Sequence, residues 1–182
     1  MYFDKGGPDN TEKALDLAFE AARDRGLKHI VFATSTGSTA KAFLKRDISA
    51  FNIVCVTHAY GQIEKGQNEV SDILREELKA AGIKVLTTTH VLSGAERGLQ
   101  RKFGGEYPVE IIAHTLRMLS AGIKVCVEIP VMALDAGLIP YGEKIVAVGG
   151  TNRGADTVAI VSPAHANAIF DTRIHEIICK PL

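Results

Sequence analysis

The sequence predicts an α/β fold: a three-layer α/β/α arrangement on a mainly parallel sheet with an antiparallel edge hairpin. Three observations point there. The strand-like segments are continuous apolar runs such as His29-Ile-Val-Phe32 and Ile53-Val-Cys-Val56, which suits strands buried on both faces. Segments of helical spacing separate most of these runs, so parallel neighbours with crossover helices are expected. The link from Val148 to Thr157 is too short for a parallel crossover, so the strands flanking it are expected to pair as a hairpin.

The elements follow in order. After an irregular lead-in, Asp9 with Glu12 reads as a capping box, Leu15, Ala18, Phe19 and Ala22 form a helical stripe, and Gly26 stops it. His29–Ala33 is the first strand and Asn52–Thr57 the second; between them a hydroxyl-rich turn opens a helix at Lys41–Arg46. A polar loop, residues 58–67, precedes a helix capped by Asn68, with Val70, Ile73, Leu74 and Leu78 as its stripe. Ile83–Thr87 is the third strand. The long segment Thr88–Glu106 is predicted to carry function, with a short helix near Ala95–Lys102 whose Arg97, Arg101 and Lys102 face solvent. Pro108 suits the first turn of a helix ending at Gly122, with His114 in a structural role. Ile123–Val127 reads as a fourth strand and Pro130–Ala136 as a short helix. Glu143–Val148, Thr157–Val161 and Ile174–Cys179 complete the strands. The pentapeptide Ala-Gly-Ile-Lys-Val occurs at residues 81–85 and again at 121–125, and is read both times as a helix-to-strand turn.

Composition bounds the function. The 182 residues suit one domain, residues 1–182, and the formal net charge is zero, so neither nucleic acid nor a membrane is an expected partner. No apolar run is long enough to span a bilayer, and Met1–Gly7 lacks a signal-peptide layout, so a cytoplasmic location is expected. Cys55, Cys126 and Cys179 lie in apolar runs without metal spacing and read as buried free thiols.

In open parallel sheets, ligands bind beyond the carboxyl ends of the strands. That rule gathers the loops Thr34–Thr39, Thr57–Gln62, Thr88–Gly94 and Gly149–Asp156. In the first, Ser35, Thr36, Gly37, Ser38 and Thr39 stand between a strand and a helix. Free amides at a helix start favour an anion, and the hydroxyls add donors, so the loop suits a phosphate cup. The same residues also suit an ordinary capped turn.

The run Ala136-Gly-Leu-Ile-Pro-Tyr-Gly-Glu-Lys-Ile-Val-Ala-Val-Gly-Gly150, continuing through Gly154 and Thr157, resembles the end of the C-terminal domain of pyruvate kinase. Ala33–Ala40 resembles the first strand and phosphate loop of that domain, and the likeness covers most of the chain in order. The resemblance implies a pyruvate kinase C-terminal domain-like fold. It implies that Ser35, Thr36, Gly37, Ser38 and Thr39 hold phosphate. It also implies that Gly149, Gly150, Thr151, Asn152, Arg153 and Gly154 close over the ligand. Nothing matches the catalytic barrel of pyruvate kinase, so that activity is not expected. The chain most resembles stand-alone archaeal-type proteins of the superfamily, which implies flavin mononucleotide (FMN) as the phosphorylated ligand. On that reading Thr57, His58, Thr89 and His90 are candidates for polar contacts to it. Glu128 is a candidate to bind a ribityl hydroxyl or act as a base, or else to cap a helix. The subunit contacts of the related domain imply a homo-oligomer.

Two function classes follow: a flavoprotein with a redox role, or a non-catalytic regulatory module that binds a phosphometabolite. No residue is assigned as catalytic.

Overall fold

In the computed structural model, which describes residues 1–182, seven strands form one sheet. They are β1 (Tyr2–Phe3), β2 (His29–Thr34), β3 (Asn52–Thr57), β4 (Lys84–Leu86), β5 (Ile145–Gly149), β6 (Thr157–Ser162) and β7 (Arg173–Pro181). The helices are α1 (Thr11–Asp24), α2 (Ser38–Phe43), α3 (Asp72–Ala80), α4 (Gly94–Phe103), α5 (Pro108–Arg117) and α6 (Ala121–Asp135). The spatial order is β1-β7-β6-β5-β2-β3-β4. β2, β3, β4 and β5 run parallel, and β6 is antiparallel to both β5 and β7.

The period-two pleat divides the core in two. Ile30, Phe32, Ile53, Cys55, Val146 and Val148 face one side and pack with residues of α1, α2 and α3. Val31, Val54, Val56, Ile145 and Ala147 face the other and pack with α6. Phe32 stacks on Phe43 with ring centroids 3.8 Å apart, and Phe19 meets Phe43 at 5.5 Å. This aromatic cluster seats the short α2 on the sheet and so fixes the loop that precedes it.

The structure corrects several sequence expectations. Residues 121–135 form one helix, not a strand followed by a short helix. The alternation of Ile123, Val125, Val127 and Ile129 imitates a strand, but this segment is enclosed all round, so an amphipathic stripe is not required of it. Ser120 starts the helix, its Oγ accepting from the Ile123 amide at 3.0 Å. The repeated pentapeptide therefore takes two forms. At 81–85 it leaves α3 through Gly82, at φ 85°, into β4; at 121–125 it is the first turn of α6. Gly122 is thus inside a helix and does not end α5, which stops at Arg117.

The β5–β6 hairpin forms as expected but is not at the edge, because β7 and β1 continue the sheet beyond it. The lead-in is not wholly irregular: Tyr2 and Phe3 pair in parallel with Lys180 and Pro181. Two caps differ. Asn10, not Asp9, precedes α1, and Asp9 lies in a 3₁₀ turn. Ser71, not Asn68, caps α3, accepting from Leu74 N at 3.3 Å. Asn68 instead donates to the His58 carbonyl at 2.6 Å and accepts from Val70 N.

α6 approaches β5 and β6 closely because Gly122 lacks a side chain. A Cβ there would lie 2.0 Å from Thr157 Oγ1, and one on Gly149 would lie 2.6 Å from the Gly122 carbonyl oxygen. Gly122→Ala gains about 1 kcal/mol in helix propensity, but forcing a methyl into this contact costs about 1–3 kcal/mol or more. The clash is expected to win, and urea unfolding should show a lower midpoint; an unchanged or higher midpoint would mean that the contact is not rigid.

Candidate functional site

A cleft with a cavity volume of about 190 Å³ opens beyond the carboxyl ends of β2 and β3. Thr34 and Ser35 end β2, Thr57 and His58 end β3, and Thr39 comes from α2. Lys124 and Glu128 reach it from α6, and Gly150, Asn152 and Gly154 from the β5–β6 turn. His90 and Arg97 close the side formed by the chain after β4.

Of the sequence-predicted residues, Ser35, Thr39, Thr57, His58, His90, Glu128, Gly150, Asn152 and Gly154 line this cleft. The others do not. Thr36, Ser38, Thr89 and Arg153 are exposed. Gly149 belongs to β5. Thr151 has its amide turned onto Asp156. Gly37 is buried, at φ 97°, where a Cβ would lie 2.4 Å from Leu74 Cδ2. Gly37 itself, not a serine, occupies the helix-capping position, and no side chain caps α2. The amides of Thr36 through Ala40 consequently donate to no acceptor in the protein. Behind them the buried Thr34 Oγ1 also has no hydrogen-bond partner.

Lys124 and Arg97 were outside the sequence expectation. Lys124 was hidden by the strand reading; its i,i+4 spacing to Glu128 is the helical signal that could have revealed it. The sequence places Arg97 on a solvated helix face, but it is half-buried and lines the cleft.

The electrostatic centre is Glu128, 1% exposed on α6. Its Oε2 is bonded by Lys124 Nζ, itself 6% exposed, and lies 3.5 Å from His90 Nδ1. Its Oε1 accepts from the Leu92 amide at 2.9 Å. Burial alone would raise the Glu128 carboxyl, but His90 and the Lys124 ammonium outweigh it and hold the group down at about 2. Burial lowers the proton affinity of Lys124, and Glu128 offsets part of that. Glu128 is neither a strand end nor a helix cap: it ties α6 to the segment after β4.

His90 Nε2 faces the Thr57 carbonyl at 3.2 Å, and its ring meets that of His58 edge-on at 5.9 Å. The Thr57 hydroxyl is occupied within the protein, by Thr87 Oγ1 at 2.6 Å and the His58 carbonyl at 2.9 Å. His58 Nδ1 lies 3.3 Å from Glu69 Oε2, and neither atom makes a hydrogen bond.

The glycine turn is shaped by Asp156, which is fully buried. Its Oδ2 accepts from Gly7 N at 2.9 Å and Thr151 N at 3.0 Å, and its Oδ1 accepts from Thr157 Oγ1. Asn152 stands in the left-handed region at φ 59°, which asparagine tolerates better than most residues. All three cysteines are buried and free. Burial pushes the Cys55 thiol up to about 12 and Cys179 to about 11, and raises Cys126 as well, so none is a ready nucleophile.

A pH dependence follows from Glu128. Its folded-state carboxyl lies below the ordinary value of 4.5, so its contribution to stability is present above that pH and is lost as pH falls toward about 2. Glu128→Gln should flatten this acid limb in urea unfolding measured across pH. At neutral pH it should destabilise the protein by about 3–5 kcal/mol, because Lys124 loses its buried partner. An acid limb unchanged by the substitution would sink this assignment.

The family model described as the pyruvate kinase alpha/beta domain matches residues 12–161. Among solved structures, a pyruvate kinase from Cryptosporidium parvum is similar at 20% identity and TM-score 0.43, over 84% of this chain and 22% of that one. The Cryptosporidium parvum pyruvate kinase in complex with ADP is similar at 21% identity and TM-score 0.43, over 82% and 22%. The chain thus spans about a fifth of the length of those enzymes. By its family match, the chain belongs to the pyruvate kinase alpha/beta domain family.

Proposed function

We propose that the cleft binds a phosphorylated small molecule, with FMN as the candidate ligand. The observation that carries this reading is the buried hydroxyl of Thr34, which lines the cleft beside Ser35 and Thr39 and has no partner in the protein. The amides of Thr36–Ala40, in the adjoining turn, also donate to no acceptor. An orphaned buried hydroxyl costs roughly 1–3 kcal/mol, which a ligand oxygen would recover.

The donor set fits FMN in kind. Ser35, Thr39 and the α2 amides would hold the phosphate. Lys124 would add a buried positive charge, and Arg97 a second donor group. Glu128, kept ionised by Lys124 and His90, supplies an acceptor for a ribityl hydroxyl. Ala33, Val56, Val125 and Ile129 are the apolar part of the lining against which a ring would be shielded from water. Gly150 and Gly154 present backbone rather than side chain, and a Cβ on either would lie within 2.5 Å of a backbone atom. When bound, a flavin supplies the redox chemistry, while the protein binds and orients it.

The test is the visible spectrum of the purified protein, mass spectrometry of what denaturation releases, and titration with FMN and riboflavin. FMN is expected to bind, and riboflavin, which lacks the phosphate, to bind about tenfold more weakly or worse. Thr39→Val should weaken FMN by about tenfold while the fold survives. Saturable binding of a sugar phosphate without FMN uptake would replace the flavin reading by that of a non-catalytic phosphometabolite module. Failure of every phosphorylated probe would overturn the phosphate site itself.

A further inference from the structure

Beside the cleft lies a second pocket, of about 220 Å³, between α4 and α5. Facing stripes of two packed helices are ordinarily apolar. Here Ser93 precedes α4, Arg97 and Gln100 follow along it, and His114 and Arg117 stand opposite on α5. Leu92 and Ala113 are the hydrophobic residues of the lining, and α4 has no buried residue. None of the five polar side chains makes a hydrogen bond or ion pair within the protein. The one carboxylate in the lining, Glu110, is turned back toward the Tyr107 amide at 3.4 Å, inside its own helix start. Neither arginine is therefore neutralised by protein, and the buried Lys124 adds a like charge nearby: Arg117 and Arg97 both weaken its hold on a proton. Two guanidinium groups, an imidazole, an amide and a hydroxyl around a small cavity match the acceptor-only chemistry of an oxyanion.

We propose that this pocket is a second anion site, taking a small free oxyanion, a phosphate or a carboxylate, next to whatever occupies the cleft. Arg97 lines both cavities and His114 and Arg117 line only this one, so the two sites share one cation and are otherwise separable. The lining is cationic and polar, with Leu92 and Ala113 its two hydrophobic residues, which suits a small oxyanion rather than a large ring. An anion here lies one arginine away from the cleft, where it would serve as a co-substrate or a co-ligand of the cleft's occupant. The inference does not depend on that occupant being FMN.

Titration of the whole protein with inorganic phosphate, and separately with succinate, tests it by ¹H–¹⁵N NMR at constant ionic strength. The amides of Ser93, Gln100 and Ala113 report on this pocket, and those of Ser35, Thr39 and Gly150 on the cleft. Saturable shifts in the first set are expected with at least one probe. Arg117→Gln, at an exposed position, should weaken them by about tenfold and leave the cleft set unchanged. Arg97→Gln should weaken the first set as well. The proposal is overturned if neither probe moves the first set, or if a folded Arg117→Gln protein binds as tightly as the original. Loss of response in the cleft set alone would count against the phosphate cup and leave this site standing.

Discussion

The buried carboxylate of Glu128 is the constraint on which the site depends. A charge so enclosed is tolerated only when every oxygen is answered. Lys124 answers one oxygen from the preceding turn of α6, and the Leu92 amide answers the other from across the cleft. The second bond matters more for architecture. It pins the segment after β4, which has no strand partner at that point, and so holds His90 against the Thr57 carbonyl. Burying such a pair is weak evidence for stability, since a hydrophobic pair of similar volume often does as well. Its value here lies in position: it brings a fixed cation and a fixed anion to the same wall.

Much of this was legible in the chain and some was not, for identifiable reasons. β2, α2 and β3 are clear in sequence because the apolar strand runs end in hydroxyl residues and the first is followed by a glycine turn and a run of helix formers. The hydroxyl loop, the histidines after β3 and β4 and the β5–β6 glycine turn follow from topology, because a parallel sheet gathers its carboxyl-end loops. α6 was not legible. A buried helix needs no polar face, and β-branched residues at alternate positions are then indistinguishable from a strand. With the helix lost, Lys124 was lost too, since only helical spacing places it beside Glu128. The pentapeptide shared by residues 81–85 and 121–125 makes the point in five residues: local sequence is constant and the neighbours decide.

Within the predicted loops, geometry separated residues that composition could not. Ser35 and Thr39 share a loop with Thr36 and Ser38, but only the first two line the cleft. A tight turn alternates inward and outward directions, and its sense is set by Gly37, whose left-handed backbone is wedged against Leu74. Asp156, by contrast, belongs to the glycine turn but shapes it rather than lining the cleft: three hydrogen bonds occupy its carboxylate.

That aspartate links parts of the chain that are far apart in sequence. One oxygen is shared by Gly7, four residues beyond β1, and by Thr151, in the turn that walls the cleft. β1 is also the outermost strand, held to the sheet through β7 alone. Peeling of that margin and opening of the cleft wall therefore draw on the same bonds. In hydrogen exchange they would behave as one cooperative unit, and anything that occupied the cleft would be felt as slower exchange at the first residues of the chain.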